Sequence, residues 1–448
     1  MTYYSSLLSQ IQAKTARIVV IGVGYVGLPV AARFAEAGFS VTGLDVHKAK
    51  VAEINQGLCP IEGEEPGLAE LITAQVATGR LKASTDYAVC QQAQVVIISV
   101  ETPIDSVRQP RYLALRSALR TLNPNLRPGT LVIIESTIAP GTIERLVLPT
   151  LRANGRREPG RDFYLVHCPE RVMPGRLLQN LREMSRVVGG NTPEAAELGH
   201  ALYQHIVEAD LDKADCVTAE LVKTGENAYR DVQIAFANEL ALICEQVGAD
   251  VWKVRELINK SPGRNVLYPG AGVGGHCIPK DPWLLAYGAN EMVQAKLIPA
   301  AREINDFMPL HMVNLTVEAL AEAGIEIEQA RVAVLGFAYL EDSDDTRNSP
   351  SLVVMERLDE LGAEVVVHDP WVREYRGDLL ETVYDCDAVV VMVKHRAYRE
   401  LNLGELKAVL KHPVLVDGRH VFDRDDAAAG GFIYRGGAEL AGRERESF

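Results

Sequence analysis

The chain has 448 residues, a net charge of −14, 47% hydrophobic and 24% charged residues. That length suffices for two or three domains, each with its own core. The acidic balance excludes nucleic acid or an anionic membrane surface as a general partner, so an anionic substrate needs a local cluster of basic residues. Seven cysteines lie far apart with no CxxC pair. This is the pattern of reduced thiols, not of a disulfide framework or zinc site, and no metal is expected. No run of eighteen apolar residues and no secretory signal pattern occur, so the expectation is a cytoplasmic protein without a membrane span.

Residues 1–16 read as an amphipathic lead-in with Leu7, Leu8 and Ile11 on one helix face. Arg17–Ile21 has the β-branched composition of a buried parallel strand. Gly22, Gly24 and Gly27 then form a G-x-G-x-x-G that opens a helical stretch, 28–37, stopped by Gly38. Ser40–Leu44 is the next strand and ends in Asp45. Strand, glycine turn, helix and terminal acid together are the context of a dinucleotide fingerprint. Such glycines bring backbone close to a pyrophosphate at the helix N-terminus, which makes Gly22, Gly24, Tyr25, Val26 and Gly27 cofactor-binding candidates. Asp45 can accept from ribose hydroxyls and repels a 2′-phosphate, favouring NAD over NADP, although His47, Lys48 and Lys50 lie nearby.

The α/β rhythm continues. Strands at 95–100 and 131–135 run into Thr102-Pro103 and Ser136-Thr137, and Phe163–His167 runs into Cys168-Pro169-Glu170-Arg171. Ligands of open parallel sheets lie beyond the carboxyl ends of strands, so Thr102, Pro103, Ser136 and Thr137 are candidates for the nicotinamide side. Taken singly they could equally be helix N-caps. From about Ala214 the pattern is one long helix with an apolar stripe through Ala219, Val222, Ala237, Leu240, Ile243 and Val247. Lys223 and Asn227 share one face of it, and its small apolar residues suit a dimer element.

Residues 270–285, GAGVGGHCIPKDPWLL, form a glycine-rich loop with Cys277, Lys280, Asp281 and His276 close together. Nearby positive charge favours a thiolate, the nucleophilic form of cysteine. On the loop alone, a turn with an inert buried cysteine is an equal reading. Beyond Gly324 come strands Arg331–Leu335, Glu364–His368, 388–393 and 414–416. Gly336-Phe337-Ala338 lacks the later glycines, so this unit is expected to bind something other than a dinucleotide pyrophosphate. The expected fold is α/β: two doubly wound Rossmann-like domains, 1–210 and 326–448, joined by a long-helix central domain, 211–325.

GVGYVGLP, CPERVMPG, AELVKTGENAYRDVQIAFANEL, GVGGHCIPKDPWLL and DDTRNSP follow one another along the chain. Their order resembles the nucleotide-sugar 6-dehydrogenases, the UDP-glucose and GDP-mannose dehydrogenase family, over nearly the whole length. CPERVMPG and ENAYRDVQIAFANEL are similar to the N-acetylhexosamine branch. Pro174 stands where UDP-glucose dehydrogenases carry a second glutamate four residues after the first, which speaks against UDP-glucose.

The resemblance implies a four-electron oxidation of a sugar C6 alcohol to a carboxylate with two NAD, through a Cys277 thiohemiacetal and thioester. The implied substrate is UDP-N-acetyl-D-mannosamine, with UDP-N-acetylglucosamine or UDP-glucose as alternatives. Lys223 and Asn227 would stabilise charge on the C6 oxygen, and Asp281, with Glu170, would serve as base. Thr137 joins these as a catalytic candidate. Arg347 and Arg264 are bidentate donors suited to phosphates; Arg347 is a candidate for cofactor and substrate alike, and Arg264 would act across a homodimer. Arg171, Arg230, Gly274, His276 and Lys280 complete the substrate-binding candidates beside Glu170, Lys223 and Asn227. Two other classes compete: a two-electron hydroxyacid-type dehydrogenase and a non-catalytic NAD-binding scaffold. NADH formed per sugar separates the three as two, one and none.

Overall fold

Short β-branched strands alternating with helices build a large sheet from the first part of the chain in the computed structural model, which describes residues 2–61, 63, 65–289 and 293–436. Its strands are β1 Arg17–Ile21, β2 Ser40–Leu44, β3 Leu81–Ser84, β4 Val95–Ile98, β5 Thr130–Ile134, β6 Phe163–His167, β7 Arg186–Gly190 and β8 Leu211–Asp215. They lie in the order β3-β2-β1-β4-β5-β6-β7-β8, parallel throughout except for β6 against β7. The run β3-β2-β1-β4-β5-β6 is the doubly wound dinucleotide order. Both faces are covered: Ile18 and Val20 enter one apolar cluster, Val19 and Ile21 the other. That is why β1 reads as unbroken hydrophobic sequence.

The ladders stop slightly short of the expected strand ends. Val100 leaves β4 because its N–H and carbonyl bond the Ser136 hydroxyl. Glu135 leaves β5 to meet Arg186 in a fully buried ion pair at 2.8 Å, with Tyr203 Oη at 3.3 Å. The paired glycines of β7 have a steric reason. A Cβ at Gly189 would lie 2.6 Å from the Asp215 carbonyl oxygen and 2.7 Å from the Ala219 Cβ.

Two compact units divide the chain, Met1–Glu226 with Trp283–Gln294, and Asn227–Pro282 with Ala295–Phe448. The second holds a five-stranded sheet of β9 Arg331–Leu335, β10 Glu364–His368, β11 Ala388–Val391, β12 Val414–Asp417 and β13 Ile433–Gly436. Its order, β10-β9-β11-β12-β13, is all parallel and of the flavodoxin type. In its first turn the N–H groups of Phe337 and Ala338 bond Asp369 Oδ2 at 2.7 and 2.9 Å, so these donors are satisfied within the fold.

The 32-residue helix Cys216–Val247 begins in the first unit and continues in the second. Its expected stripe is split. Ala219 and Ala237 are buried, whereas Ile243 and Val247 are exposed with Val217, Leu221, Tyr229 and Phe236. Among the described residues no helix is long and apolar enough to cross a membrane.

Candidate active site

In the first unit the glycine turn is shaped by contacts that only glycine permits. Gly22 has φ +89°, and a Cβ there would collide with the Ser99 carbonyl; a Cβ at Gly27 would collide with the Gly22 carbonyl. Gly24 differs, because a Cβ there would meet nothing within 4 Å. The turn therefore presents open backbone at its middle glycine, which fits the approach of a cofactor pyrophosphate to the N-terminus of the helix Gly27–Glu36. Val26 is that helix's N-cap, and Tyr25 hydrogen-bonds Glu65. Asp45 Oδ2 accepts the Val23 N–H at 3.1 Å and Oδ1 the His47 N–H at 3.0 Å. The carboxylate thus props the turn and keeps lone pairs for ribose hydroxyls.

Thr102 Oγ1 donates to the Thr137 carbonyl at 2.6 Å, so the loops after β4 and β5 are stitched together. The Pro103 carbonyl accepts the Arg111 N–H at 2.7 Å. Glu170 is buried and accepts the Val172 N–H at 2.5 Å. Arg171 pairs with Glu226 at 2.9 Å and bonds the Ser185 carbonyl. Lys223, also buried, lies 3.9 Å from the same Glu226. His167 is held neutral near Lys223: burial first, then the lysine charge, pulls its pKa down to about 4.

The second unit holds the glycine-rich loop with Cys277. The Cys277 carbonyl accepts the N–H groups of Lys280 at 3.0 Å and Asp281 at 2.8 Å, which places Cys277 one turn before the helix Asp281–Gly288. Asp281 is fully buried; Asn227 Nδ2 donates to its Oδ2 and Lys280 Nζ to its Oδ1, both at 2.6 Å. The Gly275 N–H bonds the Arg347 carbonyl at 2.8 Å, and Asn348 Nδ2 donates to the Gly275 carbonyl at 3.0 Å. Gly274 and Gly275 are glycine because the Tyr339 side chain fills the Cβ space of both. The Arg347 guanidinium pairs with Asp345 at 2.5 Å. His276 is exposed, as are Arg230 and Arg264; the Arg264 side chain bonds the Pro262 carbonyl at 3.1 Å.

The thiols differ in kind. Cys277 and Cys59 are half-buried and the other five cysteines buried, and none of the seven, all within the described residues, is in a disulfide. Burial pushes Cys90, Cys168 and Cys216 up to about 12 and Cys386 to about 11, and raises Cys244 and Cys59 as well. Those six are poor nucleophiles at neutral pH. Among the described residues no group of three or more His, Cys, Asp or Glu is placed to hold a metal.

Several residues at these loops escaped the sequence reading. Arg419 is the plainest: its guanidinium donates to the Met392 carbonyl at 2.8 Å and the Gly272 carbonyl at 3.2 Å, and burial lowers its pKa. Asn238 accepts the Gly270 N–H at 2.9 Å and bonds Asn305, which bonds Asp231. Glu220 bonds the N–H groups of Gly141 and Ile143. A signal existed: buried Glu220, Lys223, Thr224, Asp231 and Asn238, with half-buried Asn227, recur at helical spacing, a polar stripe along the helix.

The first unit carries a dinucleotide turn, and the second carries a glycine-rich loop with Cys277 and the buried carboxylate of Asp281; each by itself fits an NAD-linked dehydrogenase. Residues 16–207 match the NAD-binding domain of the UDP-glucose/GDP-mannose dehydrogenase family, 217–307 its central domain and 333–424 its UDP-binding domain. The chain belongs to that family. It is 40% identical over 420 residues to a Pyrococcus horikoshii protein named UDP-N-acetyl-D-mannosamine dehydrogenase, covering 94% of this chain and 98% of the relative. The solved structure of the UDP-D-ManNAc dehydrogenase from P. horikoshii superposes with a TM-score of 0.88 at 39% identity, covering 94% and 98% of the two chains. An NDP-N-acetyl-D-galactosaminuronic acid dehydrogenase structure from Methanosarcina mazei gives 0.86 at 38% identity, covering 98% of each. The expected α/β architecture, NAD as cofactor and the reaction class all hold.

Proposed function

We propose that this chain oxidises the C6 alcohol of UDP-N-acetyl-D-mannosamine to the carboxylate through covalent intermediates on Cys277. The observation that carries the reading is the loop in which Cys277 stands one turn before a helix whose first residue, Asp281, is buried between Asn227 and Lys280. The name of the relative at 40% identity supports the sugar, and the UDP-binding match supports the nucleotide.

NAD, when bound, supplies the hydride acceptor, two equivalents per sugar; Gly22, Gly24, Tyr25, Val26, Gly27 and Asp45 would hold it, with Thr102, Pro103, Ser136 and Thr137 on the nicotinamide side. Asp281 removes the C6 hydroxyl proton, and Lys223 with the Asn227 amide stabilises the developing alkoxide as the alcohol becomes an aldehyde. The Cys277 thiolate, favoured at a helix N-terminus, adds to the carbonyl carbon and forms a thiohemiacetal. Loss of a second hydride leaves a thioester. Water, deprotonated by Asp281 or Glu170, attacks that carbon, the C–S bond breaks, and the thiolate departs from the carboxylate product. Arg347, Arg264, Arg230, Arg171, Lys280, His276 and Gly274 are the substrate-side set, with guanidinium groups suited to phosphate oxygens. The likeness to the M. mazei protein favours, as a second reading, an epimeric N-acetylhexosamine.

Exposed Val217, Leu221, Tyr229, Phe236, Ile243 and Val247 follow one another along a single helix, and we propose that they pack against a second copy of the chain. The enzyme would work in the cytoplasm, where thiols stay reduced, and would supply uronic acid nucleotides for polysaccharide synthesis.

The test is NADH counted per sugar, across UDP-N-acetylmannosamine, its gluco and galacto epimers, and UDP-glucose. Wild type is expected to form two NADH per UDP-N-acetylmannosamine. Cys277→Ala, which removes the thiol proposed to form the thioester, is expected to lose steady-state turnover while still binding sugar and NAD. A Cys277→Ala enzyme that still delivers two NADH at near wild-type rate refutes the thioester route.

A further inference from the structure

The loop after β5, residues 136–143, is held from three directions within the first unit. Toward β4, Ser136 Oγ accepts the Val100 N–H at 2.9 Å and donates to its carbonyl at 2.6 Å, beside the bond between Thr102 and the Thr137 carbonyl. In the middle, the Ala139 N–H donates to Tyr112 Oη at 2.7 Å, and Thr142 Oγ1 donates to the Ala139 carbonyl at 2.6 Å. From the long helix, Glu220 Oε2 accepts the Gly141 N–H at 2.5 Å and Oε1 the Ile143 N–H at 2.8 Å. Glu220 is fully buried and stands one turn before Lys223.

We infer that Glu220 is a positioning residue, whose carboxylate locks the loop bearing Ser136 and Thr137 to the helical turn bearing Lys223. This rests on the dehydrogenase reading, in which that loop flanks the nicotinamide and Lys223 flanks the C6 oxygen. Two backbone donors converge on two carboxylate oxygens. A protonated carboxyl turns one of those acceptors into a donor and loses a bond. The titratable and charged groups facing Glu220 are Arg145 and Glu144 on the segment it caps, Cys216 on its own helix and Tyr112 across the loop. Burial pushes the Glu220 carboxyl up to about 7, against the pull of the two N–H groups and Arg145.

The sign of the linkage separates this role from a structural one. An acid whose folded pKa lies above its unfolded value costs no stability at low pH and costs progressively more as pH rises through the interval up to about 7. The ionised clamp is therefore held at the expense of stability. A residue there for the fold alone would do better uncharged.

The experiment uses the full-length enzyme with Glu220→Gln, which keeps the shape and one acceptor, and Glu220→Asp, which keeps the charge on a shorter arm. Expected for Glu220→Gln is a melting temperature at or above wild type at pH 8, with that advantage shrinking at pH 6. NAD affinity stays within about threefold, while kcat falls at least about tenfold, the scale of a small misplacement of reacting groups. The acid limb of wild-type kcat should contain an ionisation near 7 that Glu220→Gln lacks and Glu220→Asp retains. Unchanged kcat in Glu220→Gln overturns the proposal. So does a melting temperature that drops at every pH in step with activity, because that is a structural role. A wild type that forms one NADH per sugar would defeat the four-electron route alone, and one that forms none would defeat the dehydrogenase reading; in either case a pH-dependent melting difference between wild type and Glu220→Gln still reads the clamp, and its absence overturns it.

Discussion

Gly22, Gly24 and Gly27 look alike as a motif, yet alanine should do different things at each. At Gly22 the backbone is at φ +89° and the new Cβ would strike the Ser99 carbonyl and sit 3.0 Å from Val100 Cγ1. Backbone strain of about 1–3 kcal/mol and overpacking of about 1–3 kcal/mol put Gly22→Ala about 2–6 kcal/mol below wild type in stability. Gly27→Ala meets the Gly22 carbonyl and sits 3.2 Å from Ser99 Cβ, so it should cost about 1–3 kcal/mol through crowding. Gly24→Ala meets nothing within 4 Å, and its stability should stay within about 1 kcal/mol of wild type, tilted upward by lost unfolded-state entropy. The same methyl would stand where the pyrophosphate must approach. NAD affinity should then fall at least about tenfold, or about 1.4 kcal/mol. Thermal denaturation without ligand and equilibrium NAD binding by fluorescence measure the two quantities separately. Gly24→Ala binding NAD within about twofold of wild type, or melting as low as Gly22→Ala, would refute the assignment of this turn as the phosphate cradle.

Two further outcomes follow from the geometry. Wild type should prefer NAD to NADP by at least about tenfold in kcat/KM; because Asp45 also props the turn through Val23 and His47, Asp45→Asn is the cleaner variant than Asp45→Ala and should narrow that gap, and equal use of both cofactors by wild type would contradict it. Phe236→Asp with Ile243→Asp, both on the exposed stripe, should convert a dimer to monomer in light scattering, whereas a wild type that is monomeric and fully active would remove the helix from any interface.

The sequence alone determined whatever is written in short-range pattern. β1, the glycine turn and Asp45 lie within thirty residues, and their chemistry is set by local backbone freedom and strand–helix alternation. The glycine-rich loop with Cys277 is likewise contiguous from Gly270 to Asp281, and the Lys223–Asn227 pair follows from helical geometry. Strand β8, LDKAD, was not legible: it lies at the sheet edge with mostly exposed side chains, so it carries no apolar alternation. Nor was the identity of the partners. Glu220 reaches Gly141 across 79 positions, and Asn238 meets Gly270 across 32. Which buried polar group answers which orphan N–H depends on how elements pack, and no periodicity along the chain encodes it. The tertiary structure alone decided that Asp281 is sealed between Asn227 and Lys280, and that five thiols are buried while Cys277 and Cys59 stay half-open, because desolvation and pairing are properties of a neighbourhood and a residue's place in the chain does not fix its neighbours.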